Sequence, residues 1–212
     1  MYVKTVQNGR SMIEMLGVLA LIGVLSVGGL AGYSKAMMMW RSNIQRNMLA
    51  ELISGVVELK NNLYGNSDVG GELELTPVLG AMGLLPEGTK YANNWIQDKY
   101  GVRAQVARLG VPWQNKDGST SSARVFVIRL YYVPTAGEGV SPYRELCRNV
   151  VHVTKPMANE IAELRSWDTQ DDSSKYKIIY YGWNLADETV TETEQKCKNV
   201  ALGHHMTIVF KF

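Results

Sequence analysis

The most reactive side chains of the sequence are two cysteines, Cys147 and Cys197. His152 follows Cys147 closely enough to suggest a thiol nucleophile with a neighbouring base. One disulfide is the simpler interpretation, because an even pair of cysteines in an exported domain is usually oxidised. The bond would close a loop of about fifty residues and stabilise the fold by roughly 4 kcal/mol. Two buried free thiols are the third alternative.

Candidate metal ligands are few and poorly spaced. His204 and His205 are adjacent, so in a strand their rings would point to opposite faces, and one metal ion would not bind both. Carboxylates that could hold calcium occur late in the chain: Asp168, Asp171, Asp172 and Asp187. Their spacing is not that of an EF-hand, and an acidic loop is usually just solvated. No nucleotide-binding or hydrolase motif is present, so we predict neither an enzyme, nor a cofactor, nor a metal site.

Glu14 is a carboxylate at the entrance of an apolar run. From Met15 to Ser34, twenty consecutive residues carry no formal charge. A helix of that length spans roughly 30 Å, the hydrocarbon thickness of a bilayer. A carboxylate at this place costs a membrane helix a few kcal/mol, and a signal peptide gains nothing from it. Because neither a membrane helix nor a signal peptide gains from this carboxylate, we expect Glu14 to have a function of its own.

The first residues resemble the N-terminus of type IV prepilins and pseudopilins. A nine-residue polar leader with one lysine and no acid ends at Gly9, and Glu14 is the fifth residue counted from Arg10. The resemblance implies that prepilin peptidase cleaves after Gly9 and methylates the new N-terminus at Arg10, and that Glu14 acts in assembly. Arg10 departs from the family, whose first mature residue is usually large and apolar. A secretory signal peptide and a plain signal anchor are the alternatives.

A single long helix is predicted to carry these residues. Beyond Lys35, apolar residues recur every three or four positions as far as Leu63, with charged residues between them. This amphipathic pattern continues the apolar run, and Gly65 ends it. Within the run, Gly28 and Gly32 form a G-x-x-x-G pair, which could pack against another helix or loosen the helix locally.

The sequence therefore divides into three parts. We predict a leader over 1–9, a helix over 10–64 whose membrane-spanning part is 15–34, and a globular head over 65–212. The cysteine pair lies within the head. The predicted fold class is α+β, with the long helix packed on a small antiparallel sheet, as the resemblance to pilins also implies.

The head is predicted to contain four strands and two helices. β-branched, aromatic or alternating runs predict the strands: Val102–Leu109, Arg124–Val133, Tyr176–Trp183 and Met206–Phe212. Helices are predicted from Thr76, as N-cap, to about Met82, and from Ser141 past a break at Pro156 to Leu164. The stretch Asp187–Gln195 is predicted to be acidic and solvated. The first two strands are expected to pair antiparallel across the turn Lys116–Ser119.

The implied function is structural. The net charge of +2 implies no strongly charged partner, and a nucleic-acid role is not indicated by it. The resemblance implies a subunit of a type IV pilus (fimbrium) or pilus-like filament, in adhesion, motility or secretion. Its implied partners are other copies of itself or related pilins, prepilin peptidase and the inner-membrane assembly machinery. The expected location is the inner membrane of a Gram-negative bacterium before assembly, and then the extracellular filament.

Two other functions stay open at this point. The first is a minor pilin whose head binds a surface or DNA, and the second is a pseudopilin of a type II secretion system. The abundance of the chain in purified fibres would distinguish a major subunit from both.

Overall fold

The computed structural model describes residues 12–62, 71–133, 141–167, 176–198, 200 and 205–211. The chain divides into two compact units, Met1–Arg41 and Ser42–Phe212. The helices of the described ranges are α1 (Met12–Asn62), α2 (Thr76–Ala81), α3 (Ser141–Thr154), α4 (Gly182–Leu185) and α5 (Val190–Lys198). A turn of 3-10 helix, Lys155–Met157, follows α3.

One antiparallel sheet contains the strands of the described residues. They are β1 (Leu73–Glu74), β2 (Lys90–Ala92), β3 (Trp95–Gln97), β4 (Val102–Gln114), β5 (Thr120–Tyr132), β6 (Ile161–Trp167), β7 (Tyr176–Tyr181) and β8 (His205–Phe210). Their order is β2-β3-β4-β5-β8-β6-β7, and β1 pairs with β4. The last strand of the chain therefore lies between β5 and β6, in the middle of the sheet.

The β4–β5 hairpin confirms the predicted pairing of the first two strands and extends it. Its register runs from Val102 opposite Tyr132 to Gln114 opposite Thr120. The connecting turn is closed by a hydrogen bond from the amide of Asn115 to the carbonyl of Ser119, at 2.8 Å.

The core of the second unit lies between α1, α3 and one face of the sheet. The residues of α1 that are completely buried follow the three-and-four spacing seen in the sequence: Leu49, Leu52, Ile53, Val56 and Leu59. They pack with every second residue of the central strands, including Phe126, Ile128 and Ile208. Burying each such side chain contributes about 1.5–3 kcal/mol. The α+β class, with α1 packed on an antiparallel sheet, is confirmed for these residues.

A buried asparagine joins α1 to α3. Asn149 is completely buried, and its side-chain oxygen accepts hydrogen bonds from Ser42 Oγ and Arg46 Nε, each at 2.8 Å. Its amide nitrogen donates to Gln45 Oε1 at 3.0 Å. Because buried polar groups are tolerated when their hydrogen bonds are made, this cluster fixes how the two helices meet.

The second predicted helix is wrong beyond Thr154. After Lys155–Met157 the chain turns into β6 instead of resuming a helix over Met157–Leu164. Pro156 has no amide hydrogen with which to continue α3. The strand that follows has backbone partners on both sides, in β7 and β8, and this tertiary pairing outweighs its apolar helical pattern.

The stretch Asp187–Gln195, predicted to be acidic and solvated, is mostly exposed, but α5 begins within it at Val190, where no helix was predicted. Thr189 and Glu192 form a capping box: the Thr189 amide donates to Glu192 Oε2 at 3.0 Å, and the Glu192 amide donates to Thr189 Oγ1 at 3.3 Å. Hydrogen bonds from Thr189 lower the pKa of the Glu192 carboxyl. Glu192 and Glu194 therefore belong to a capped helix, whereas Asp187 and Glu188 precede it.

The third predicted strand ends two residues early, at Tyr181. Gly182 begins α4, and a Cβ at this position would lie 1.8 Å from the carbonyl oxygen of Ile161. Only glycine lets the chain turn this close to the neighbouring backbone, so the strand ends where this contact is made.

Thr76 does not cap α2. The residue before the helix is Leu75, and no side chain caps it. Thr76 Oγ1 instead accepts a hydrogen bond from the amide of Val106 at 2.9 Å. Pairing of β1 with β4 holds Thr76 against the sheet, so its hydroxyl serves the neighbouring strand rather than its own helix.

Stability should depend on pH through Asp98, which is 6% exposed. Its Oδ1 accepts hydrogen bonds from the amides of Tyr100 and Val102, each at 2.8 Å, while Oδ2 has no hydrogen-bond partner among the described residues. Burial raises the pKa of Asp98 and outweighs these amides, which lower it. Asp98 in the folded protein therefore keeps its proton to a higher pH than in the unfolded chain, and its contribution to stability falls as pH rises above about 4.

We expect Asp98→Asn to be most favourable, relative to the natural chain, at neutral pH and least favourable near pH 3. The amide keeps an acceptor oxygen but carries no charge to desolvate. Urea unfolding at several pH values measures this difference. Asp117→Asn is the control of opposite sign, since hydrogen bonds from Ser119 lower the pKa of the exposed Asp117. A constant difference for Asp98→Asn across this range would contradict the prediction.

Candidate membrane and assembly segment

Glu14 lies in the first turn of α1, where its side chain is exposed. It is the only charged residue of α1 before Lys35. A carboxylate in a first turn interacts favourably with the positive end of the helix dipole. Gly9 and Arg10, the predicted cleavage and methylation positions, lie outside the described residues.

The first unit presents apolar side chains on every side of α1. The exposed residues occur at successive positions of the helix rather than on one stripe: Met12, Ile13, Met15, Leu16, Val18, Leu19, Leu21, Ile22, Val24 and Leu25. Among the described residues, α1 is the one helix long and apolar enough to cross a membrane by length and composition. Its most apolar 18 residues are not buried inside the fold.

Several glycines occur within this apolar surface, although no neighbouring atom would prevent a larger side chain there. A Cβ added at Gly17, Gly28 or Gly32 would meet no atom within 4 Å. Each glycine inside a helix costs about 1 kcal/mol relative to alanine. No contact among the described residues requires a glycine at these three positions.

A disulfide joins α3 to α5 in the second unit. Cys147 and Cys197 are both completely buried, and their Cα atoms are 5.6 Å apart. Neither cysteine is free. The bond excludes both a thiol nucleophile at Cys147 and the alternative of two free thiols in this structure.

Polar contacts around Glu188 connect β7 to α5, in addition to the disulfide between α3 and α5. The sequence did not indicate these contacts. Glu188 is 8% exposed, and its Oε1 accepts a hydrogen bond from the hydroxyl of Tyr180 at 2.6 Å. Its Oε2 pairs with Lys196 Nζ at 3.3 Å. Burial and the bond to Glu188 raise the pKa of Tyr180, so its hydroxyl stays a donor. These contacts connect β7 to α5 beside the disulfide.

His152 and His205 are the histidines that the structure describes, and they lie on different elements, α3 and β8. His152 is exposed on α3, while the half-buried ring of His205 stacks on Tyr131 and Trp167 at centroid distances of 4.6 and 5.5 Å. Asp187 is exposed, and the other candidate ligands lie outside the described residues: His204, Asp168, Asp171 and Asp172. In the part of the chain that the structure describes, no three His, Cys, Asp or Glu side chains could together hold a metal ion.

Comparisons with protein-family models, with curated proteins and with solved structures find no match to this chain.

Proposed function

We propose that the chain is a structural subunit of a type IV pilus or pilus-like filament, held in the inner membrane by α1 before assembly. The observation that carries the proposal is the N-terminal part of α1, which lies in the first unit. It is apolar on every side and unburied, and it has one carboxylate at its start. A helix that is apolar all round needs an apolar environment. Lipid supplies it before assembly, and the same segments of other copies supply it afterwards.

Glycines and Glu14 favour a bundle of helices as the final environment. Small residues let helices approach closely in an apolar medium, and Gly28 and Gly32 are not crowded by any described residue. The second explanation, local loosening of the helix during assembly, also uses these glycines. A lipid environment alone explains the apolar side chains, but it does not explain Glu14, because a carboxylate is unfavourable in lipid.

Glu14 would set the axial position of each incoming subunit. A carboxylate buried among apolar helices is retained when a cation neutralises it. After cleavage behind Gly9, the new α-amino group at Arg10 of a neighbouring copy is a suitable cation, and the Arg10 guanidinium is a competing one. Apolar contacts are poorly directional, so this ion pair would select one register among many.

Processing is the first test. The mature chain isolated from its native host should begin at Arg10, with a methylated N-terminus, and mass spectrometry of the N-terminal peptide measures both. Replacing the small residue by Gly9→Leu should leave the leader attached. A mature N-terminus near Gly32 would instead establish a secretory signal peptide and contradict the proposal.

A further inference from the structure

A pocket of about 250 Å³ lies on the face of the sheet opposite to α1 and α3. The inward-facing Phe126 and Ile128 belong to the main core, whereas Val127 between them lines the pocket. Side chains alternate between the faces of a strand, so the pocket and the core use opposite faces. Leu109 and Val111 line it from the far part of the β4–β5 hairpin.

The two arginines of the pocket already have carboxylate partners. Arg129 binds Glu72 through both terminal nitrogens. Arg165 is 2% exposed, and its Nε donates to Glu163 Oε2 at 2.7 Å. A further nitrogen of Arg165 donates to the carbonyl of Pro112. Since both guanidinium charges are neutralised within the chain, the pocket offers no uncompensated positive charge to an anion.

Thr207 contributes a buried hydroxyl group to the lining of the pocket. It lies opposite Arg129 on one side and Arg165 on the other, in the register of β5, β8 and β6. Its side chain lines the pocket and is 6% exposed, and its Oγ1 has no hydrogen-bond partner among the described residues. Buried hydroxyl groups are nearly always hydrogen-bonded. Oγ1 is almost inaccessible in the conformation described, and a rotation about χ1 of Thr207 would turn it toward a donor or acceptor of a ligand.

A row of rings forms one wall of the pocket. Tyr131, His205 and Trp167 follow each other across β5, β8 and β6, with interplanar angles of 24° and 11°. His205 is stacked between the other two rings, and Tyr131 and Trp167 have further ring neighbours in Trp95 and Tyr176. Such an aromatic wall suits a small apolar group, which can pack edge to face against it.

We propose that this pocket binds a small neutral organic molecule that is apolar except for one hydroxyl or carbonyl group, which hydrogen-bonds to Thr207 Oγ1. The aliphatic lining contacts the apolar part of the ligand, and the paired arginines leave no preference for a charge. A dry apolar cavity of about 150 Å³ accepts benzene, so a molecule of roughly ten non-hydrogen atoms fits here. This site is independent of filament assembly.

The experiment uses the full chain in lipid nanodiscs, with isotope-labelled methyl groups on Val, Leu and Thr. Benzyl alcohol is the neutral probe, toluene lacks the hydroxyl, and benzoate carries a charge; dialysis fixes the free concentration of each. Benzyl alcohol should shift the methyl signals of Val127, Val209 and Thr207 saturably. Benzoate should not shift them, and toluene should bind more weakly than benzyl alcohol.

Thr207→Val keeps the branched shape and removes the hydroxyl. It should weaken benzyl alcohol binding about tenfold, the usual value of one hydrogen bond, and leave toluene binding unchanged or tighter. Thr154→Val is the matched control, because Thr154 is equally buried but its Oγ1 donates to the carbonyl of Val150 at 2.7 Å. Val111→Phe, which adds a ring to the lining, should weaken both neutral probes.

Three results would overturn the proposal. They are the absence of saturable shifts with either neutral probe, a preference for benzoate over benzyl alcohol, and equal affinity of benzyl alcohol for Thr207→Val and the natural chain. Each can be read from the same spectra, in which the signals of the core methyl groups report whether a variant is folded.

Discussion

Glu14→Leu is expected to leave the chain inserted in the membrane and cleaved after Gly9, but to abolish or sharply reduce its incorporation into filaments. The substitution removes one partner of the proposed ion pair and leaves the α-amino group of Arg10 without its carboxylate. Removing one partner of a buried pair costs about 3–5 kcal/mol, which corresponds to roughly a hundredfold to several thousandfold in an assembly equilibrium. Filament yield, measured against the amount of mature subunit in the membrane, reports the effect.

Two further variants separate charge from geometry. Glu14→Asp keeps the charge but shortens the reach of the side chain, so its filament yield should be intermediate. Glu58→Leu makes the same change at an exposed position in the second unit and should leave processing and yield near normal. A normal yield from Glu14→Leu as the only copy of the subunit would exclude the pairing mechanism.

The double substitution Cys147→Ala with Cys197→Ala is expected to lower the free energy of unfolding by about 4 kcal/mol. The bond closes a loop with a sequence separation of 50 residues, and its loss returns that conformational freedom to the unfolded chain. Loss of the buried sulfur contacts adds a smaller cost of the same sign. Urea unfolding of the oxidised natural chain and of the double variant measures the difference.

A reductant provides the matched control for the disulfide. It should destabilise the natural chain toward the value of the double variant and leave the double variant unchanged. Peptide mapping without reduction, on protein taken from its native compartment, should recover Cys147 and Cys197 in one linked peptide. A change in unfolding free energy below 1 kcal/mol, or both thiols free in that protein, would contradict the prediction.

The longer strands were predictable because their signal is local. Residues 124–132 are rich in β-branched and aromatic side chains, and the Asp117–Gly118 turn precedes them. The strands β1, β2 and β3 have only two or three residues each, too few to show a period of two. Their existence depends on pairing with β4 and with each other, which no short window of sequence contains.

The start of α5 could have been predicted from its capping box, but the acidic composition of the stretch drew attention away from this motif. Thr189 and Glu192 are spaced as a capping box requires, but the acidic composition around them indicated only a solvated stretch. The burial of Glu188 could not be found in this way, because its partner Tyr180 belongs to a different element and reaches it only in the folded chain.

The two candidate sites, Glu14 and the pocket on the sheet, differ in how well they could be predicted from the sequence. Glu14 could be singled out by counting from Gly9, because its importance depends on position within one continuous helix. The pocket depends on Arg129, Thr207 and Arg165, which are far apart in sequence and become neighbours only because β8 lies between β5 and β6. The apolar segment of α1 can therefore be recognised in the sequence as a segment that needs an apolar environment. The pocket could be recognised only once the order of the strands in the sheet was known.

Cryo-electron microscopy of filaments sheared from the surface of the native host tests the central proposal most directly. It predicts filaments built from this chain, with residues 12–41 of many copies packed together along the axis. In each copy the carboxylate of Glu14 should lie within ion-pair distance of a cation at Arg10 of a neighbour. Filaments that lack this chain, or a filament core in which residues 12–41 take no part, would contradict it.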